Sequence, residues 1–185
     1  MESQNKWQLA AIDGLILSSV TIIATLISGI LTDAKTGMST NFILGIVLWL
    51  AKFGGSIYLL YWLMKKYSSY YDTISYGKSF VYGFIVCMFS SIVCACFAYV
   101  SLEFIFTEQT RMGIEQTRQM MESSPAYTEQ TKAMIMKIFN NYSTYVMFGQ
   151  LIYLTIFGAI VSSIVANYTK KTNPFTESQS NQEQE

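Results

Sequence analysis

Two ionisable residues stand where charge is costly. Lys52 interrupts an apolar run between Met38–Ala51 and Phe53–Met64, and Asp13 sits at the head of the uncharged run Gly14–Thr32. A lysine at the centre of a membrane-spanning helix costs about 2.5–3.5 kcal/mol, so it faces other helices or water and marks a proton, ion or substrate contact. Gly54-Gly55, directly after it, would loosen the helix at that point. Asp13 is the natural counter-ion. Counted from the same membrane edge, it is about four residues deep against about twelve for Lys52, a gap of roughly 12 Å. A lysine side chain covers only part of that, and a water or Ser18 would have to bridge the rest. The plainer reading of Lys52 is a side chain that snorkels to the headgroups while its stem packs on apolar neighbours.

Other reactive chemistry is sparse. There is no histidine, the commonest general base and metal ligand. The three cysteines, Cys87, Cys94 and Cys96, fall in one apolar run without metal-ligand spacing, so they are expected to serve as small packing residues. No phosphate-binding loop, dinucleotide fingerprint or nucleophile elbow occurs. No catalytic, cofactor-binding or metal residues are expected, no cofactor is implied, and the chain is not expected to be an enzyme.

Composition explains what must hold these residues. Of 185 residues, 51% are hydrophobic and only 13% charged, about half the proportion usual in soluble domains. Mean hydropathy is nevertheless a modest +0.31. The charges are partitioned. Four stretches, about 9–31, 42–64, 79–102 and 143–166, together hold 94 residues and two charges, Asp13 and Lys52. Each is long enough to cross a hydrocarbon core of roughly 30 Å as a helix and too long for a buried strand. The remaining 91 residues carry 22 charges, an ordinary soluble proportion. The 12 basic and 12 acidic residues balance, which excludes nucleic acid as a partner. Gly158, Ser162 and Ala166 recur at spacing four on the last stretch, which lets helix backbones approach closely in a bundle or dimer seam.

An even number of spans puts both termini on one side. That side carries Lys6, Lys65, Lys66, Lys78, Lys170 and Lys171, all close to span ends, and the other carries Lys35, Arg111, Arg118, Lys132 and Lys137. The first group sets the expected orientation, with both termini cytoplasmic. The first stretch lacks a basic leader and a small-residue cleavage site, so it reads as a retained anchor.

Residues 103–142 are too long for an idle connection. Glutamate recurs every seven residues at 108, 115, 122 and 129, and Arg111, Arg118 and Lys132 each follow one of these by three. Opposite charges three apart are neighbours on a helix face. Ile114, Met121, Ile135 and Tyr142 keep the same phase, with Thr128 filling the gap. Ser123-Ser124-Pro125 breaks the run. The pattern predicts an extramembrane helical hairpin, one arm continuing the third span to about Ser123 and the other returning from Pro125 into the fourth. Its apolar residues Ile114, Met121 and Ile135 are candidates to bind a second copy or another membrane protein, and five methionines (112, 120, 121, 134 and 136) suit an adaptable surface.

The four spans, the segment Ile74-Ser75-Tyr76-Gly77-Lys78-Ser79-Phe80 before the third, the Met-rich loop with proline at its tip, and the ending Lys170-Lys171-Thr172-Asn173-Pro174-Phe175 resemble the domain-of-unknown-function family 4199 over about residues 5 to 175. The resemblance implies a small four-span protein of a bacterial inner membrane and brings no activity, cofactor or catalytic residue with it. The expected architecture is all-α: one membrane domain over 1–175, with the hairpin at 103–142 and a disordered polar tail at 176–185. Its leading role is a scaffold, sensor or accessory subunit acting through the hairpin, and the alternative is a small oligomeric transporter or channel using Lys52.

Overall fold

A computed structural model describes residues 4–33, 38–124 and 127–171. Lys35, Pro125, the motif end 172–175 and the tail 176–185 lie outside these. The described residues form helices and contain no strand: α1 (Gln4–Asp33), α2 (Met38–Ser69), α3 (Tyr76–Val100), a π-helical turn (Ser101–Ile105), α4 (Thr107–Ser123), α5 (Glu129–Phe139) and α6 (Tyr142–Thr169).

Four of these helices are long and apolar enough to cross a membrane, over Lys6–Ile30, Gly45–Ser69, Tyr76–Ile105 and Tyr142–Thr169. Their outer faces remain apolar: Ile12, Leu15, Ile23, Leu50, Ile152, Ile160 and Ile164 are all exposed. Only 11% of the most apolar stretch of α2 is buried inside the protein. Water would not tolerate so much exposed aliphatic surface on a small protein, whereas lipid tails match it. This is a membrane-embedded chain.

Two compact units are distinguished. The first comprises Met1–Ser91 and Leu154–Glu185, and the second Ile92–Tyr153. In the first, Leu60, Leu63, Met64, Tyr67, Tyr82, Val86, Val161 and Val165 form the core. Small residues set its helix spacing. A Cβ added to Gly158 of α6 would lie 2.5 Å from the Cys87 Cβ of α3, and one added to Gly14 of α1 would lie 2.7 Å from the Phe89 Cβ. Ser162 and Ala166 are fully buried. Gly158 and Ser162 therefore line the seam of α6 with α3, where Ser162 Oγ meets Cys87 Sγ at 3.5 Å and glycine permits a backbone approach that alanine would block.

In the second unit the helices are shorter than the heptad pattern alone predicts. The third span does not run on to Ser123 as one α-helix. The Phe106 amide bonds the Ser101 carbonyl at 2.7 Å, a five-residue step, and Phe106 (φ −114°, ψ 33°) ends the helix before α4 restarts at Thr107. An inserted π-turn is a recognised cause of such a break. Ser101 Oγ is the one buried side-chain oxygen or nitrogen without a hydrogen-bond partner among the described residues. The return helix starts at Glu129, because Thr128 caps it: its hydroxyl accepts from the Thr131 amide at 3.3 Å. Thr128 thus closes a helix end where the heptad phase put a seam residue. The turn Asn140–Asn141 separates α5 from α6.

Candidate functional site

The most enclosed ionisable group is Asp13, 2% exposed on α1. The hydroxyl of Tyr82, a fully buried residue of α3, donates to its Oδ2. Gly14 makes this possible, since α1 closes on α3 at Phe89 and the Val86 carbonyl, where a side chain would intrude. The Tyr82 ring stacks on Tyr67 of α2 with centroids 3.6 Å apart and planes 3° from parallel. The Tyr67 and Tyr71 hydroxyls are hydrogen-bonded at 3.2 Å. Three helices thus meet in one cluster, and a line of phenols runs from the carboxylate to exposed Tyr71, two residues past the end of α2. Such a site can hold a carboxylate in apolar surroundings by giving it a donor.

Lys52 does not take part. It lies fifteen residues before Tyr67 on the same unbroken helix, about 22 Å along the axis, farther than a lysine side chain reaches. Among the described residues the ion pairs are Arg111–Glu108, Arg118–Glu122 and Lys132–Glu129, and Asp13–Lys52 is not one of them. Lys52 is half-buried, next to Phe53, whose ring meets Trp49 at 4.5 Å and Phe157 of α6 at 4.9 Å. The helix continues through Gly54-Gly55 without a break.

A family model described as a protein of unknown function, DUF4199, matches residues 12–171. The chain belongs to that family. No curated protein and no solved structure matches it. In this DUF4199 chain the matched range begins one residue before Asp13 and ends on Lys171, so it contains the whole carboxylate–phenol cluster and the clasp described next.

The clasp was not legible in the sequence. Ile74, in the α2–α3 connection, exchanges two backbone hydrogen bonds with Lys171 just after α6, at 3.1 and 3.0 Å. The Ser68 hydroxyl donates to the Thr169 carbonyl at 2.7 Å. The Thr169 hydroxyl donates to Val165 and meets the Ser79 hydroxyl at 2.6 Å. Lys171 Nζ donates to the Tyr71 carbonyl at 3.1 Å. Hydroxyl residues at three span ends were the available signal, but serine and threonine at helix ends usually bond locally.

In the 107–139 segment of this DUF4199 chain, Met121 is buried while Ile114 and Ile135 are half-buried. They lie on the least exposed faces of α4 and α5. Met112, Met120 and Met134 are exposed on helices otherwise rich in charge. Arg118 pairs forward with Glu122 at 3.0 Å, not back with Glu115. The Glu122 hydrogen bond and charge, with a smaller contribution from Glu115, hold its guanidinium above the ordinary arginine range. Cys87 and Cys94 are buried and Cys96 exposed, none of them in a disulfide. Among the described residues no group of three or more His, Cys, Asp or Glu side chains is placed to hold a metal ion.

Proposed function

We propose that this protein is a non-enzymatic, multi-pass protein of a bacterial inner membrane, a scaffold, sensor or accessory subunit with both termini cytoplasmic. Its 107–139 segment acts as an extramembrane helical hairpin that engages a second copy or another membrane protein. One observation carries the reading: methionines stand exposed on polar helices, with Met120 at 68% and Met134 at 69%. Flexible thioethers on an otherwise charged surface suit a contact that adapts to its partner. The non-enzymatic part rests on the missing histidine and on buried polar groups that bond to one another.

The test replaces Met112, Met120 and Met134 together with glutamate, followed by crosslinking in native membranes and mass spectrometry. Ile114, Met121 and Ile135 stay unchanged, since they lie on the less exposed faces and their loss would confound binding with folding. Loss of the crosslinked species seen with the parent chain supports the reading. Recovery of the same species at the same yield overturns it.

A small oligomeric transporter or channel is the second reading, favoured by the buried Asp13 carboxylate inside a membrane-spanning helix. In that case Asp13 with Tyr82 forms one polar station and Lys52 another. Proteoliposomes carrying Asp13→Asn or Lys52→Leu should then lose a proton or ion flux that the parent chain supports. A flux unchanged in both variants ends this reading.

A further inference from the structure

We propose that the clasped end of the bundle is a binding site for the anionic phosphodiester headgroup of a phospholipid. This inference is independent of the role assigned to the 107–139 segment.

Five exposed lysines meet there: Lys65 and Lys66 near the end of α2, Lys78 at the start of α3, and Lys170 and Lys171 after α6. Only the clasp brings them together. Ser68 and Ser79 both bond Thr169, and Ile74 pairs with Lys171. Each lysine is therefore within one helical turn of a clasp residue. Residues 61–79 and 163–171 contain one acid, Asp72, against these five cations.

Their charge is left over. On α4 and α5, Arg111, Arg118 and Lys132 are each neutralised by a glutamate of the same helix at 3.0–3.4 Å. None of the five clasp lysines is in an ion pair among the described residues. The side-chain contacts that three of them make bring no negative charge. Lys65 and Lys66 lie over the Tyr61 and Trp62 rings at 5.7 and 5.6 Å, and Lys171 donates to a carbonyl. Ring faces and carbonyls orient a cation without neutralising it.

The occupant follows from the place. These lysines lie at the ends of three apolar spans, in the layer where a bilayer carries its phosphates. Trp62, Tyr70, Tyr76 and Tyr168 are exposed beside them, and amphipathic rings prefer that layer. A zwitterionic headgroup brings its own cation, whereas an anionic headgroup brings uncompensated charge to match. Basic clusters next to spans favour anionic lipid by about 1 kcal/mol per lysine, roughly fivefold each.

The full chain, purified in detergent with equal parts phosphatidylglycerol and phosphatidylcholine, is examined by native mass spectrometry for retained lipid. The expected result is phosphatidylglycerol enriched by fivefold or more. Lys65→Gln with Lys66→Gln should cut that enrichment at least about fivefold, while Lys137→Gln on α5 leaves it unchanged. Lys170→Gln with Lys171→Gln should act in the same direction. If that pair misfolds because Lys171 is part of the clasp, the Lys65–Lys66 pair decides alone, with helix content by circular dichroism as its control. Equal retention of the two lipids by the parent chain overturns the proposal, as does unchanged enrichment in the Lys65–Lys66 variant. Displacement of the lipid by millimolar inorganic phosphate would assign the site to a free anion and likewise overturn it.

Discussion

The Tyr82 hydroxyl on α3 donates to the Asp13 carboxylate on α1, joining residues 69 apart in the chain. Both side chains are buried, so neither can turn to water if the other is removed. Tyr82→Phe should therefore destabilise the protein by about 2–3 kcal/mol, chiefly by stranding a buried acceptor. Asp13→Asn, which keeps an acceptor of similar shape, should cost less. In a thermal-unfolding cycle in detergent, adding Tyr82→Phe to Asp13→Leu should cost clearly less than Tyr82→Phe alone. Additive effects would mean that the bond contributes little.

The α3–α6 seam makes a sharper steric prediction. Gly158→Ala places a Cβ 2.5 Å from the Cys87 Cβ, which is fixed to the backbone. The helices must separate, at about 1–3 kcal/mol. Gly83→Ala meets the Met64 thioether at 2.5 Å, the far end of a flexible side chain that can swing aside. Melting temperature should fall more for Gly158→Ala than for Gly83→Ala, and Cys87→Gly should partly restore the former.

In the clasp, Thr169→Val preserves shape and removes the hydroxyl that meets Ser79 and donates to Val165. Because Ser79 and Thr169 are both buried, the loss should cost about 1–3 kcal/mol. Hydrogen exchange should report it locally, with faster exchange at the Ile74 and Lys171 amides that hold the bridge. Unchanged protection at both amides would show that the bridge stands without the hydroxyl pair.

Thr128→Ala should remove the N-cap of α5 and cost that helix about 0.5–2 kcal/mol. Exchange should accelerate at the Thr131 amide and its neighbours, while α6 stays protected. Thr128→Asp should retain the cap, so equal exchange in the alanine and aspartate variants would count against the capping role.

Membrane embedding was readable from the sequence because it depends on composition over about twenty residues, and no tertiary contact alters that requirement. The heptad-phased loop was readable as helix for the same local reason. Its breaks at Phe106 and Thr128 were not, since a π-turn and a cap each depend on a single hydrogen bond that periodicity does not encode. Asp13 stood out as a lone acid in an apolar run, but its partner did not. Charge pairing by sequence pointed to Lys52, whereas the bundle supplies the phenol of Tyr82 and leaves Lys52 fifteen residues before Tyr67 on α2. Likewise, six lysines near span ends were visible as an orientation signal. The gathering of five of them, all but Lys6, around Ile74, Thr169 and Lys171 required knowing which helix ends meet. Sequence by itself determined that four helices seek lipid, because burial in a bilayer is a property of each helix alone. Which buried polar groups face one another was decided only by the tertiary structure, because a hydrogen bond depends on angstrom-scale register between helices that composition leaves free.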